Sequence, residues 1–367
     1  MINKATRSQT KEHNTRLVLQ TIYNTAGLSR AEIARITKLT RPTVSSIVED
    51  LIERKLVVET GMGQSFGGGK KPILLEFAKD SQWVMGLHLS SKAFRGVLAN
   101  LRGEILHTYE IELDDKTPHI LLEQLLQLVR TLLLQAERPL LGIGIASPGL
   151  VDQETGMILR SVNLNWIEMP IGKILHERFK LPVYVSNDSH LAALAEYQFS
   201  HERLSPNLIA INVFSGIGAG IIINGELFVG DHNAAGEIGH VVLDPQGALC
   251  GCGNRGCLEM FVNGRLLASL VKSIGQDANS EKMLQEQGGY LGRAIAQVVG
   301  LLNIRETVLV SDLADLGSPF LQAVQKGIAV NVLPILASQT HVRYSTLKNS
   351  SLLGAVSLVL KSELKIV

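Results

Sequence analysis

The sequence predicts an α/β body that follows a small helical module at the N-terminus. Basic residues gather in that module: residues 1–80 hold 13 Lys and Arg against 8 Asp and Glu, whereas the other 287 residues carry a net charge of −4. Three short amphipathic helices are predicted within residues 11–57. From residue 79 onward, apolar strands alternate with helices, which is typical of a layered α/β fold. A basic module on an acidic body indicates nucleic-acid binding joined to a second activity.

Length and composition narrow the class of protein. A chain of 367 residues with 46% hydrophobic residues can bury cores in two or three domains. No apolar run reaches the roughly 18 residues that a membrane span needs, and the N-terminus lacks the apolar core of a signal peptide. The three cysteines form no disulfide framework, so we expect a cytoplasmic protein that does not enter a membrane.

The second and third helices carry clear start signals. Ser29 precedes Glu32 by three residues in a capping box, and Thr40 caps a helix with Pro42 in its first turn. The second helix is predicted to bury Ile33, Ala34 and Ile36. Two helices joined by only two residues resemble a helix-turn-helix, although a structural helical hairpin would look similar. The side chains suited to a DNA groove are Arg41, Thr43, Ser45 and Ser46.

The segment after these helices predicts a wing. Two short strands, 56–59 and 73–77, flank a glycine-rich loop that ends in Lys70 and Lys71. In a winged helix-turn-helix, such lysines would contact phosphates or follow the minor groove. A glycine-rich linker is the alternative, and the flanking strands favour the wing.

The body is predicted to begin with an antiparallel hairpin over residues 83–101. A third strand follows at 105–111, then a helix over 118–137 and a buried strand at 140–146. Helices and strands alternate to the end of the chain, where residues 351–360 form an apolar run.

All three cysteines stand within eight positions, and a histidine lies ten residues upstream. Three thiolates and an imidazole complete a tetrahedral zinc shell, so we predict a zinc site formed by His240, Cys250, Cys252 and Cys257. A disulfide is disfavoured, because the first two cysteines are too close to pair easily and an odd number leaves one over. The alternative is three buried apolar cysteines beside a surface histidine.

The same stretch carries a family resemblance. Gly-x-Glu-x-Gly-His, followed by Cys-x-Cys-Gly-x-x-Gly-Cys-x-Glu, resembles the signature of the ROK family (repressors, open reading frames and sugar kinases). The resemblance implies an actin-like ATPase body of two lobes. We therefore expect a winged helix-turn-helix over residues 1–78 and a first lobe over 79–198, completed by a C-terminal helix near 350–367. A second lobe over 199–349 would hold the zinc site and dimer contacts.

The resemblance also implies a sugar site. By position in the signature, it comprises Glu237, His240 and Glu259, with Asn163 from a loop that resembles the family's Asn-Leu-x-Trp. Asn187 and Asp188 follow a predicted strand, and this Asp is the general base in family kinases. Two alternatives stay open: Asp188 merely caps the next helix, and Asn163 lies in an ordinary loop.

The nucleotide side of the family pattern is degraded. His88-Leu89-Ser90-Ser91-Lys92 stands where family kinases have Asp-x-Gly-Gly-Thr, so the carboxylate and the glycines of the phosphate turn are missing. Phe214 and Ser215 replace a Gly and a Thr of the second phosphate loop, although three glycines remain. Ser311-Asp312-Leu313 replaces a Gly-Gly near the adenosine.

These features together predict a regulator rather than an enzyme. We expect a sugar-responsive repressor that a monosaccharide or sugar phosphate, bound between the lobes, releases from operator DNA. It would act as a homodimer or a tetramer. The alternatives are a sugar kinase that retains activity and a repressor controlled by a protein partner.

Overall fold

The computed structural model describes residues 6–62, 71–202, 204–213, 216–262, 264–271, 278–310 and 317–366. Several positions used above lie outside these residues: Lys70, Phe214, Ser215 and 311–313. Among the described helices, none combines the length and the apolarity that crossing a membrane requires.

The N-terminal module consists of three helices and a small antiparallel sheet. Its elements are α1 (Arg7–Asn24), β1 (Leu28–Ser29), α2 (Arg30–Thr37), α3 (Arg41–Glu53), β2 (Val57–Met62) and β3 (Ile73–Phe77). The strand order is β1-β3-β2. Both bonds of the predicted capping box form between Ser29 and Glu32, and the Thr40 hydroxyl accepts the Thr43 N–H. These caps begin α2 and α3 where the sequence predicts.

One residue of α2 faces the other way from the prediction. Ile36 is 51% exposed, and Thr37 is buried in its place. Around the helix, Ala34 and Thr37 lie about 100° and about 40° to one side of Ile33, whereas Ile36 lies about 60° to the other side. The predicted burial of Ile36 was therefore wrong.

The body opens with a five-stranded sheet, here called the first sheet, in the order β11-β7-β4-β5-β6. Its strands are β4 (Trp83–Leu89), β5 (Ala93–Asn100), β6 (Ile105–Glu112), β7 (Leu140–Ser147) and β11 (Val183–Asn187). Between them lie α4 (Pro118–Gln135), the small strands β8 (Leu150–Asp152), β9 (Met157–Ser161) and β10 (Trp166–Met169), and α5 (Ile171–Phe179). The helix α6 (Asp188–Phe199) follows β11 directly.

A second five-stranded sheet has the order β14-β13-β12-β15-β16. Its strands are β12 (Leu208–Val213), β13 (Ile217–Ile223), β14 (Glu226–Phe228), β15 (Glu306–Val310) and β16 (His341–Tyr344). The remaining helices are α7 (Leu258–Phe261), α8 (Gly264–Val271), α9 (Ala278–Leu302), α10 (Gly317–Ala329), α11 (Pro334–Gln339) and α12 (Ser350–Leu364).

The two sheets repeat one topology. In each, the first strand lies at the centre, with an antiparallel meander on one side and two parallel strands on the other. This duplication of a sheet and its helices is the two-lobed arrangement expected of an actin-like body.

Two helices cross between the lobes and pack against each other. Although α6 follows the first sheet in the chain, it packs on the second, where a Cβ on Gly220 would lie 2.4 Å from the Cβ of Ala193. Conversely, α12 follows the second sheet and packs on the first, where a Cβ on Gly144 would lie 1.9 Å from the Ala355 carbonyl oxygen. Glycine is needed for such close approaches.

The packing of α6 on the second sheet accounts for two glycines of β13. Gly218 and Gly220, two of the three glycines that were predicted to remain in the second phosphate loop, lie within β13. A Cβ on Gly218 would lie 2.3 Å from the Ser189 hydroxyl oxygen. These two glycines therefore serve the contact between β13 and α6.

The N-terminal module packs directly on the body. Val18 of α1 belongs to the same buried cluster as Leu364 and Ile366 at the end of α12. The Arg102 guanidinium, in the turn after β5, lies 3.9 Å from the centroid of the Tyr23 ring and donates to the Tyr23 carbonyl oxygen. The N-terminal module and the body are therefore joined by buried apolar contacts and a hydrogen bond.

Candidate functional site

The four predicted metal ligands lie together. The imidazole of His240 and the sulfurs of Cys250, Cys252 and Cys257 offer ligand atoms that are all within 4.8 Å of one another. His240 Nδ1 is 3.7 Å from Cys250 Sγ, and Cys252 Sγ is 3.6 Å from Cys257 Sγ. Ligands at zinc bond lengths in a tetrahedron lie roughly 3.5–3.8 Å apart. The donor set therefore fits a tetrahedral metal ion.

Tight backbone turns bring the sulfurs together. Gly253 and Gly256 have φ angles of +98° and +62°, which L side chains rarely adopt. Isolated bridges pair Val242 with Cys257 and Leu249 with Arg255, so the loop closes on itself. Burial raises the pKa of the Cys250 thiol to about 12. A metal ion would therefore be needed to keep this sulfur as a thiolate near neutral pH.

Two carboxylates, those of Glu237 and Glu259, lie close to His240. Glu259 Oε1 lies 2.8 Å from Cys250 Sγ and 3.4 Å from His240 Nδ1. On the other side of the ring, Glu237 Oε2 lies 3.9 Å from His240 Nε2. Nδ1 of the imidazole thus faces the Cys250 sulfur and Glu259, and Nε2 faces Glu237. A single residue can serve both a metal ion and a neighbouring polar ligand.

Asn187 and Asp188 have different surroundings. The Asn187 side-chain oxygen accepts the N–H groups of Ser189 and His190, and its amide donates to the Gly149 carbonyl at 3.0 Å. Asn187 thus caps α6. Asp188 is the first residue of that helix and is half-buried. Burial raises the pKa of its carboxyl to about 7, and the charge of Glu237 adds to the rise.

The predicted sugar residues are therefore only partly brought together. Glu237 and Glu259 lie 3.9 and 3.4 Å from the two ring nitrogens of His240, and the charge of Glu237 acts on Asp188. These four residues of the predicted sugar site are here called the polyol site. Asn187 adjoins it, with its side-chain oxygen used by the helix cap. Asn163 lies on the exposed turn between β9 and β10, and among the hydrogen bonds of the described residues none joins it to the other five.

Sequence reasoning missed His190, which lies beside this group. The ring is 2% exposed, and its Nε2 lies 2.7 Å from the Ala235 carbonyl oxygen. Burial lowers its pKa. The available signal was a polar ring two positions after Asp188, directly before the apolar run 191–195.

Replacing Asp188 by asparagine should stabilise the protein, and more at pH 8 than at pH 5. Because the folded-state pKa is raised, the stability linked to this carboxyl is fully present below its unfolded pKa and is lost as the pH rises through about 7. The rise in the pKa of Asp188 from 3.8 to about 7 corresponds to a loss of at most about 4 kcal/mol in the free energy of unfolding. Roughly a third of this loss is present at pH 5.

Urea unfolding at both pH values, without sugar, measures this difference. The exposed Asp114→Asn is the matched control and should show no comparable gain. A gain from Asp188→Asn that is equal at pH 5 and pH 8 would contradict the assigned ionisation.

The turn at the predicted phosphate position is closed upon itself. Ser90 Oγ accepts the N–H groups of Lys92 and Ala93, at 3.4 and 3.2 Å, and donates to the Ala93 carbonyl. Two backbone N–H groups of this turn, those of Lys92 and Ala93, are therefore already paired. His88 stands at the end of β4, and burial and the charge of Arg95 lower its pKa to about 4. A neutral ring cannot replace a carboxylate that holds magnesium through water.

The candidate DNA surface is the N-terminal part of α3. Arg41 and Ser46 are exposed, whereas Thr43 and Ser45 are half-buried. The Thr43 hydroxyl lies 2.8 Å from that of Thr40, so part of its hydrogen-bonding capacity serves the helix cap. In the wing, Lys71 is exposed immediately before β3, and Lys70 lies outside the described residues.

Comparison with known proteins agrees with this architecture. The family profile described as ROK family matches residues 84–362, and one described as MarR family matches residues 14–61. The chain is 30% identical over 375 residues to the xylose repressor of Bacillus spizizenii, with 97% of each chain covered.

Solved structures extend the comparison to the fold. A ROK family transcriptional regulator, described as a homolog of the E. coli MLC protein, matches with a TM-score of 0.85 and 25% identity over 97% of both chains. A ROK family glucokinase from Streptomyces griseus, solved with glucose and AMPPNP, matches 75% of this chain and 98% of its own, with a TM-score of 0.67 and 23% identity. The predicted fold class is thereby confirmed, and the chain belongs to the ROK family.

Proposed function

We propose that the protein is a sugar-responsive DNA-binding repressor, released from its operator when a monosaccharide or sugar phosphate occupies the polyol site. The observation that carries this proposal is the combination within one chain of a helix-turn-helix module, a polyol site and a closed phosphate turn. The similarity to a xylose repressor over 97% of both chains supports the same function.

The polyol site has the chemistry that a sugar requires. Carboxylates accept hydrogen bonds from hydroxyl groups, and an imidazole contributes one more polar atom at a different angle. Asp188, Glu237 and Glu259 would accept from sugar hydroxyls, and Asn163 and Asn187 would act at the margin. Zinc held by His240 and the three cysteines would keep the loop that carries Glu259 in place.

A packed route connects this site with the DNA-binding module. The helix α6 begins at Asp188 and contacts α12, where a Cβ on Gly354 would lie 1.9 Å from the Leu191 carbonyl oxygen. The end of α12 shares a buried cluster with α1. A sugar can release DNA only if it binds better to the arrangement that does not bind DNA, and this route could carry such a preference.

The domain division and the assembly belong to the same proposal. We keep the boundaries at 1–78, 79–198 and 199–349, with α12 completing the first lobe on which it packs. Two copies would present two copies of α3 to an inverted-repeat operator, as helix-turn-helix dimers do. Dimer or tetramer contacts are assigned to the second lobe.

A sugar panel tests the proposal. We expect one of D-xylose, D-glucose, N-acetylglucosamine or their phosphates to raise Tm by roughly 5–10 °C at about 100 times its Kd. The same sugar should lower the affinity for DNA selected from a random library by the full-length protein. A protein that selects DNA but responds to no panel sugar would favour control by a protein partner.

Kinase activity should be absent. The Ser90 hydroxyl accepts two backbone N–H groups of the turn, those of Lys92 and Ala93. Position 88 holds a histidine where family kinases have an aspartate. A coupled assay with ATP, magnesium and the sugar that gives the thermal shift should therefore show no turnover. Turnover of roughly 1 per second or faster would establish a kinase and overturn the repressor-only assignment.

A further inference from the structure

His190 joins the two chain segments that carry Asp188 and Glu237. Its ring is buried at 2% exposure, and burial lowers its pKa, so the ring is neutral near pH 7. Nε2 lies 2.7 Å from the Ala235 carbonyl oxygen, an acceptor, so Nε2 must carry the proton and donate. Nδ1 is then an acceptor, and it is buried without a hydrogen-bond partner among the residues that the structure describes.

The position of this bond relates the two carboxylates. Asp188 lies two residues before His190 on α6, and Glu237 lies two residues after Ala235. The His190–Ala235 bond holds the segment that carries Glu237 against the helix that carries Asp188, and the charge of Glu237 contributes to the raised pKa of Asp188. The His190–Ala235 hydrogen bond therefore connects two segments, and each of them carries a carboxylate of the polyol site two residues away.

The Ala235–Glu237 segment has a second attachment on its other side. Ala219 N–H donates to the Gly236 carbonyl at 2.7 Å. Gly236 has φ +90°, and a Cβ there would lie 1.9 Å from the Ala219 carbonyl oxygen. The segment is thus held between β13 and α6, and the bond from His190 is its tie to α6.

The buried Nδ1 of His190 is unfavourable for folding, because a buried acceptor without a partner loses its hydrogen bonds to water. A leucine at position 190 would remove this nitrogen, but it would also lose the hydrogen bond to the Ala235 carbonyl. The contribution of the histidine is therefore its bond to Ala235.

We propose that His190 is a positioning residue for sugar recognition: its hydrogen bond to Ala235 sets the distance between Asp188 and Glu237, so that one monosaccharide can engage both. This inference rests on the proposed sugar-binding function. It assigns to His190 no contact with the sugar and no role in holding the metal ion.

The test uses calorimetric titration of the full-length protein with the panel sugar that gives the largest thermal shift. His190→Leu should weaken sugar binding roughly 10-fold or more, because a loss of about 1.4 kcal/mol is a factor of ten. It should retain metal content, DNA affinity and a cooperative unfolding transition. His190→Gln, whose amide can still donate, should recover most of the affinity.

His176→Leu is the matched control. His176 lies on α5, and its Nδ1 is 2.8 Å from the backbone carbonyl oxygen of Leu181. It should leave sugar affinity unchanged. Normal sugar affinity in His190→Leu, or loss of metal or folding in both His190 variants, would overturn the inference. Asp188→Asn separates the two proposals: if it too binds sugar normally, or if the wild type binds no panel sugar, the polyol site itself is wrongly assigned.

Discussion

Replacing Cys252 by serine should release the metal ion and lower the free energy of unfolding by about 4 kcal/mol, the linkage expected at 1,000 times Kd. Cys252 is exposed, whereas Cys250 and Cys257 are buried. Its replacement therefore opens no cavity, and any large loss of stability must come from the ligand set. A loss of this size corresponds to roughly 10 °C in Tm for a lobe of 150–250 residues.

Elemental analysis and thermal unfolding measure the effect. The wild type should contain one zinc per chain, and a strong chelator should reproduce the Tm of Cys252→Ser while leaving that variant unchanged. Asn254→Ala alters an exposed side chain in the same turn and should keep both zinc and stability. A metal-free wild type, or a Cys252→Ser variant of unchanged Tm, would show that the cluster is not a metal site.

Arg41→Ala should weaken operator binding about 5- to 150-fold, the equivalent of about 1–3 kcal/mol, if the guanidinium reads a guanine. Arg41 is exposed in the first turn of α3, where helix-turn-helix proteins contact base edges. The loss should be concentrated at one operator position. Arg54→Ala is the matched control, since it removes the same charge from the far end of α3, where Arg54 pairs with Asp50.

Lys71→Ala should act differently from Arg41→Ala. A wing lysine neutralises phosphate, so its loss should weaken binding to all sequences and lower the slope of log K against log salt by about 1. Anisotropy titrations of operator and scrambled DNA at several salt concentrations separate the two effects. Equal losses on both DNAs for Arg41→Ala would refute base reading by this residue.

Local signals explain which elements could be predicted. Caps at Ser29 and Thr40, and strands bounded by turn residues such as β4, depend on neighbours within a few positions. The small strands β8 to β10 and the last strand β16 were not predicted. In β16, four residues pair with β15, about 35 positions earlier, and so short a segment carries too little periodicity to be recognised.

In the candidate site too, features with a local sequence signal could be predicted, whereas contacts between distant residues could not. The cysteine cluster could be predicted because its ligands recur within one short, glycine-rich segment. The bond between His190 and Ala235 spans 45 positions, and no local pattern reports it. Gly218 and Gly220 were predicted to belong to a phosphate loop, because a glycine-rich sequence suits a phosphate loop and a close helix contact equally well. The packing of α6 on β13 shows which of the two uses applies.

Fluorescence-anisotropy titration of labelled operator, with and without the inducing sugar, tests the central claim most directly when applied to Asp188→Asn. Asp188 lies in the polyol site, at the start of α6, whereas the DNA surface lies on α3. The variant should bind operator like the wild type and should no longer release it when sugar is added. An Asp188→Asn protein that stays folded but loses operator binding, or that still responds fully to sugar, would contradict the account.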